Sequence, residues 1–102
     1  MADRVEIIAK SEDLRAITKD FRTAVEGYVS VSRSQVDMIR KAAKNNGIDG
    51  NSTPEEIRKA VEIKLKDAER QLANLTSLAL ALKEAEEDYA AIISFLRGVT
   101  NV

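Results

Sequence analysis

Residues 61–96 read VEIKLKDAERQLANLTSLALALKEAEEDYAAIISFL. Apolar residues recur in this segment at alternating intervals of four and three, the spacing of side chains along one face of a long packed helix. One carboxylate, Glu86, interrupts the row. The segment therefore predicts a long helix with a seam, meaning the row of side chains that faces a partner helix. Its seam positions are Val61, Leu65, Ala68, Leu72, Leu75, Ala79, Leu82, Glu86, Tyr89, Ile93 and Leu96.

The residues before this segment contain the signals of a loop followed by a helix start. Residues 45–53 are rich in Asn, Gly, Asp and Ser, which favour turns. Thr53, Pro54 and Glu56 form a capping box, with Thr53 as the N-cap and Glu56 reaching back to it. The next helix breaker is Gly98. We therefore predict a loop over 45–53 and the second helix over about 54–97.

A first helix is predicted upstream of the loop. Ser11 is the expected N-cap, because Glu12 and Asp13 follow it and negative charge suits the start of a helix. This helix should span about 11–44, with residues 1–10 as an extended or frayed lead-in. Its most apolar row, which we take as its seam, consists of Leu14, Ile17, Phe21, Ala24, Tyr28, Val31, Gln35, Met38 and Ala42.

The two helices and the short loop predict an all-α fold, a two-helix antiparallel hairpin that forms a single domain over residues 1–102. Folding at the loop pairs positions whose numbers sum to about 99, such as Ile17 with Leu82. Since the first helix is expected to stop at Ser11, Tyr89 and Ile93 should lie in an overhang with few intrachain neighbours.

A second apolar set lies outside both predicted seams. Leaving several large aliphatic side chains exposed costs about 1.5 to 3 kcal/mol each and favours aggregation. We therefore expect the hairpin to complete a four-helix bundle, either with its own copy as a homodimer or with a helical segment of another protein. The predicted partner interface consists of Val25, Val29, Val36, Ile39, Ile63, Leu78, Ile92 and Phe95.

The amino-acid composition limits the classes of function that we expect. Sixteen basic and seventeen acidic residues give a net charge of −1 without a one-sided basic run, so nucleic acid is not an expected partner. The chain has no cysteine and no histidine, and it lacks a nucleophile or phosphate loop in a catalytic arrangement. We expect a non-enzyme with no cofactor and no metal. No segment reaches the length of a membrane span, so the expected location is the cytoplasm, with export without a cleaved signal peptide as the alternative.

The loop also has part of the spacing of a calcium site. The twelve residues 45–56 have Asp49 at the fifth position and Glu56 at the twelfth, which is partial EF-hand spacing. Gly47 at the third position supplies no ligand, and the capping box already accounts for Glu56. A turn followed by a helix cap is the preferred interpretation.

The residues Leu82, Glu86, Tyr89 and Ile93 form a short motif on the second helix. Within a two-helix hairpin this motif resembles the small helical-hairpin proteins of type VII secretion, the W-x-G superfamily. The loop has no Trp-x-Gly, and Ile93 stands where an acid would follow Tyr89, so the resemblance is to the branch that partners LXG toxins. It implies a module that pairs with the helical region of a larger toxin and helps to target it for export, with these four residues as the export or recognition motif.

Two alternatives remain at this point. The protein could instead be a helical chaperone, regulator or immunity-type protein whose partner is unrelated to secretion. Glu86 could also have a structural role, accepting hydrogen bonds from the first turn of the first helix near Ser11 and Leu14.

Overall fold

The computed structural model describes residues 3–48 and 54–100. These residues contain two helices, α1 from Arg4 to Asn45 and α2 from Glu55 to Thr100, and no strand. The two helices pack against each other in antiparallel directions. The predicted all-α hairpin is therefore confirmed.

The start of α1 lies seven residues earlier than predicted. Asp3 is the N-cap, because its Oδ1 accepts a hydrogen bond from the backbone N–H of Glu6 at 2.9 Å. Glu6 also pairs with Lys10 one turn later, at 3.4 Å. The predicted frayed lead-in is thus wrong for residues 4–10. Ser11, the predicted N-cap, instead lies within α1 and is buried.

The end of α1 follows the glycine signal in the sequence. Gly47 has a φ of 65°, and its N–H donates to the carbonyl of Lys44 at 3.1 Å. The N–H of Ile48 donates to the carbonyl of Ala43 at 2.9 Å. Together these bonds form a Schellman cap, which satisfies carbonyls that the helix end leaves free. Residues 49–53, including the predicted N-cap Thr53 and Asp49 of the calcium alternative, lie outside the described residues.

Helix α2 begins close to its predicted start and ends later than predicted. The carbonyl of Pro54 accepts hydrogen bonds from the N–H groups of Ile57 and Arg58, at 3.1 and 3.2 Å. Gly98, the predicted breaker, lies inside the helix, which continues to Thr100. A helical glycine costs about 1 kcal/mol relative to alanine, so it weakens a helix without necessarily ending it.

Packing divides the chain into two compact units. Unit 1 comprises Met1–Val25 with Ser77–Val102, and unit 2 comprises Glu26–Thr76. Each unit therefore contains one segment of α1 packed against one segment of α2.

Ion pairs within the units give the register of the helices. In unit 1 Arg22 pairs with Glu86, and in unit 2 Arg40 Nη2 lies 2.9 Å from Glu69 Oε1. The residue numbers in these pairs add up to 108 and 109, so the predicted value of about 99 is wrong. In unit 2 Ile48, which follows α1, lines a pocket with Val61, and these two numbers also add up to 109.

The predicted seam of α2 is confirmed, and that of α1 is wrong. Every predicted seam position of α2 is buried or half-buried. On α1 the large residues of the predicted seam, such as Phe21, Tyr28 and Met38, are exposed. The residues of α1 that are actually buried or half-buried recur at the same spacing on a neighbouring face: Ile8, Ser11, Thr18, Arg22, Val25, Val29, Ser32, Val36, Ile39 and Ala43.

The observed α1 seam is built from small, β-branched and polar side chains. Ser11 and Ser32 are buried, and the Oγ of Ser32 has no hydrogen-bond partner among the described residues. Small residues allow two helices to approach closely, whereas the larger aromatic residues of α1 lie outside the seam. Helix α1 thus leaves its largest apolar side chains on the surface.

The two valines Val31 and Val36 test which face of α1 packs inward. Val36 is 3% exposed and Val31 is 68% exposed. We expect Val36→Ala to lower the free energy of unfolding by about 2 kcal/mol, because buried methyl groups are lost. Val31→Ala should change it by less than about 0.5 kcal/mol. Urea unfolding of both variants measures the difference, and a larger loss for Val31→Ala would contradict the observed seam.

Candidate functional site

The polar layer in the seam of unit 1 consists of Arg22 and Glu86. The guanidinium of Arg22 donates to both carboxylate oxygens of Glu86: Nε donates to Oε2, and Nη2 donates to Oε1 at 3.2 Å. Both side chains are largely shielded from solvent, with 21% and 12% of their surfaces exposed. A two-point contact of this kind holds the two planar groups in one orientation and is stronger than a single hydrogen bond.

The pKa of the Glu86 carboxyl is lowered from its ordinary value of 4.5. The main cause is the hydrogen bonding from Arg22, which outweighs the opposing effect of desolvation. The positive charges of Arg22, Lys19 and Arg15 lower this pKa further. Glu86 is therefore held as a carboxylate.

These basic side chains line a shallow cleft beside the ion pair. Its cavity volume is about 420 Å³, and its lining includes Arg15, Lys19 and Glu12. Glu12 is bound in turn to Arg97 of α2. The cleft is therefore part of a charge network between the two helices of unit 1.

The four residues of the predicted export motif lie along the seam of α2. Glu86 binds Arg22, Ile93 is only 5% exposed, and Leu82 and Tyr89 are half-buried. The predicted overhang is wrong, because α1 begins at Arg4 and extends alongside this end of α2. The predicted capping role of Glu86 is also wrong, because its partner lies in the middle of α1. Packing therefore accounts for the spacing of the motif, and its recognition role remains a prediction.

Most of the exposed large apolar residues of unit 1 lie one residue before a seam position. On α1 Ile17 precedes Thr18, and on α2 Ile92 precedes Ile93. Because the helices are antiparallel and face each other, positions with the same offset from the seam lie on the same side of the pair. Both helices thus contribute to one surface, the apolar face, which consists of Ile7, Leu14, Ile17, Phe21, Leu78, Ile92, Phe95 and Val99.

The opposite side of unit 1 is charged. This side is formed by the residues that come one position after a seam residue, and they include Glu12, Lys19, Lys83 and Arg97. Glu12 and Arg97 bridge the two helices there. One side of the seam in unit 1 is therefore closed by charged contacts within the chain, whereas the apolar face on the other side has no cover from the described residues.

The structure divides the predicted partner interface by helix. On α1 Val25 and Val36 are buried and Val29 and Ile39 are half-buried, so the expectation that these four are exposed is corrected: they belong to the α1 seam. The predicted residues of α2 are all exposed. Leu78, Ile92 and Phe95 belong to the apolar face of unit 1, and Ile63 lies in unit 2.

Unit 2 has a narrower apolar surface. On α1 Tyr28, Val31 and Met38 are exposed one residue before seam positions. The corresponding positions on α2 in this unit are mostly polar, and they include Lys64 and Gln71. The broadest unpartnered apolar surface within a unit is therefore the apolar face of unit 1.

Sequence reasoning assigned Leu14, Ile17 and Phe21 to the hairpin interior and missed Arg22 entirely. A signal for the correct assignment was present. A carboxylate in a packed seam needs a cationic partner, and the predicted α1 seam contained none. The neighbouring row of α1 contains both Arg15 and Arg22.

In the described part of the chain, neither helix has a window hydrophobic enough to span a bilayer. Within the same residues, no three acidic side chains converge in a way that could hold a metal ion. No protein-family model matches the chain, and neither curated proteins nor solved structures provide a significant match.

The lowered pKa of Glu86 predicts a specific loss of stability in acid. A group whose folded-state pKa is depressed stabilises the fold fully above its unfolded value, here about 4.5, and this contribution disappears as the pH falls through the lower folded-state pKa. We therefore expect Glu86→Gln to be less stable than the wild type at pH 7, with a difference that shrinks below pH 4.5. Urea unfolding at a series of pH values measures it.

Glu87→Gln is the matched control, because Glu87 is the exposed neighbour of Glu86. The free energy of unfolding of this variant should equal that of the wild type at each pH. A constant difference between wild type and Glu86→Gln down to pH 3 would contradict the assignment of the ionised carboxylate to the seam.

Replacing both Arg22 and Glu86 should reduce thermal stability less than replacing Arg22 alone. Arg22→Leu leaves Glu86 in the seam without the two-point contact, so its Tm should fall. Combining Arg22→Leu with Glu86→Leu replaces the pair by apolar side chains, and the Tm should recover to the wild-type value or above it. Thermal unfolding followed by circular dichroism tests this, and additive losses in the double variant would show that the pair is not coupled.

Proposed function

We propose that this protein is a non-catalytic interaction module whose apolar face docks against the helices of a partner protein to complete a four-helix bundle. The observation that carries the proposal is the apolar face itself. Both helices of unit 1 contribute large side chains to it, and Phe95, for example, is 70% exposed. An exposed apolar surface to which both helices contribute marks an interaction site on a small protein.

The setting that we propose is type VII secretion. In that setting, the partner is the helical region of a larger LXG-type toxin, and the chain helps to present the toxin for export. The hairpin architecture supports this choice, together with the resemblance carried by Leu82, Glu86, Tyr89 and Ile93. Because these four residues lie along the seam, they would act by holding the end of the hairpin in shape for the export machinery.

A binding experiment tests the proposal. The chain is co-expressed with the helical region of an LXG-type toxin, and the complex is isolated by size exclusion. We expect a stable complex that is lost when Ile17 and Phe95 are both replaced by serine, because both side chains belong to the apolar face. Circular dichroism should show that the double variant remains helical.

Leu80→Ser is the matched control, because Leu80 is exposed on the charged side of α2. This variant should retain the complex. The proposed docking surface is wrong if no complex forms and the chain is a monomer that melts cooperatively. It is also wrong if Leu80→Ser disrupts the complex while the double variant of Ile17 and Phe95 retains it.

A further inference from the structure

The apolar face of unit 1 is bordered by acidic residues. Asp13 and Asp20 lie along the outer edge of α1, seven residues apart, and Glu84 lies along the outer edge of α2, while Asp88, one residue before the seam residue Tyr89, lies in the same row as Ile92. All four side chains are exposed, and none forms an ion pair within the part of the chain that the structure describes. We call these four residues the acidic rim.

The basic residues of unit 1 are concentrated elsewhere. Arg15, Lys19 and Arg22 lie at the cleft beside Glu86, and Arg97 is bound to Glu12 on the charged side. Lys10 lies close to the apolar face, but it pairs with Glu6. The charges of unit 1 are therefore segregated, although the net charge of the whole chain is only −1.

This segregation restricts what can cover the apolar face. Charges at the border of an apolar interface attract partners of opposite charge and disfavour partners of like charge. Two copies of this chain packed through their apolar faces would form an isologous interface, in which both partners bring the same acidic rim. A second copy is therefore a poorer occupant than a partner with basic borders.

We infer that the occupant of the apolar face is an amphipathic helix whose apolar row, spaced by three and four residues, is bordered by Lys or Arg. This inference rests on the proposed function and specifies the chemistry of the partner. Cations seven residues apart on that helix repeat every two turns, or about 10.5 Å, which matches the spacing of Asp13 and Asp20. The apolar row binds in the face, and the basic borders pair with the acidic rim.

Two synthetic helical peptides provide the probe. Both have the same leucine row at three- and four-residue spacing, but one has Lys at all bordering positions and the other has Glu. We expect the full chain to bind the Lys-bordered peptide about tenfold more tightly than the Glu-bordered peptide in isothermal titration calorimetry. This preference should weaken as the ionic strength increases.

Charge reversal separates the role of the rim from that of the apolar face. Replacing Asp13, Asp20, Glu84 and Asp88 together by lysine should reverse the preference, so that the Glu-bordered peptide binds more tightly. The matched control is Glu87→Lys, on the charged side of α2, which should retain the wild-type preference. Phe95→Ser should lower the affinity of the chain for both peptides about tenfold, because it removes apolar contact rather than charge.

The possible results lead to different conclusions. If both peptides bind equally and Phe95→Ser weakens both, the apolar face is a docking surface but the inference about its partner's charge is overturned. If neither binds, both the inference and the helix-docking function are overturned. Self-association of the chain that is lost in Phe95→Ser would overturn the inference in favour of a second copy. Binding to phosphatidylglycerol vesicles through Phe95, without peptide binding, would overturn it in favour of a membrane surface.

Discussion

The ion pair between Arg22 and Glu86 is the contact on which the arrangement of unit 1 depends. A carboxylate in a packed seam is costly unless a cation accompanies it, so the segment of α1 that packs there must bring one. Of the two neighbouring rows with seam spacing, the one that contains Arg22 brings a cation to the level of Glu86, and the two-point contact also sets the level at which the helices meet. In this unit, the same ion pair therefore determines which face of α1 packs against α2 and how the two helices are aligned along their length.

The same choice explains the composition of the surface. When the row with Arg22, Val25 and small polar residues faces α2, the row with Leu14, Ile17 and Phe21 must face outward, because the two rows are about 100° apart on the helix. Helix α1 thus packs its smaller side chains against α2 and exposes its larger ones. For an isolated protein this distribution is unfavourable, whereas for one subunit of a larger helical assembly it places the most hydrophobic residues at the interface.

Charge and apolar surface are separated around unit 1 in a way that relates the two proposals. On one side, ionic contacts such as Glu12 with Arg97 join the helices to each other. On the other side, the apolar residues have no cover among the described residues, and the carboxylates at the border form no ion pair there. The first side stabilises the hairpin, and the second can bind a partner without competing for the same contacts.

Helix periodicity and turn chemistry are local properties of the chain, so the amino-acid sequence was sufficient to predict the two helices, the seam of α2 and the turn that contains Gly47. It was not sufficient to choose the row of α1 that faces α2, since two neighbouring rows have the same spacing and the more apolar one resembled a core. It also misplaced the start of α1, where Asp3 and Glu6 form a cap that Ser11 had obscured. The choice of row depends on pairing between distant residues, which no local pattern reports. Arg22 and Glu86 are separated by 64 positions in the chain, and only their contact shows which side of the hairpin remains exposed.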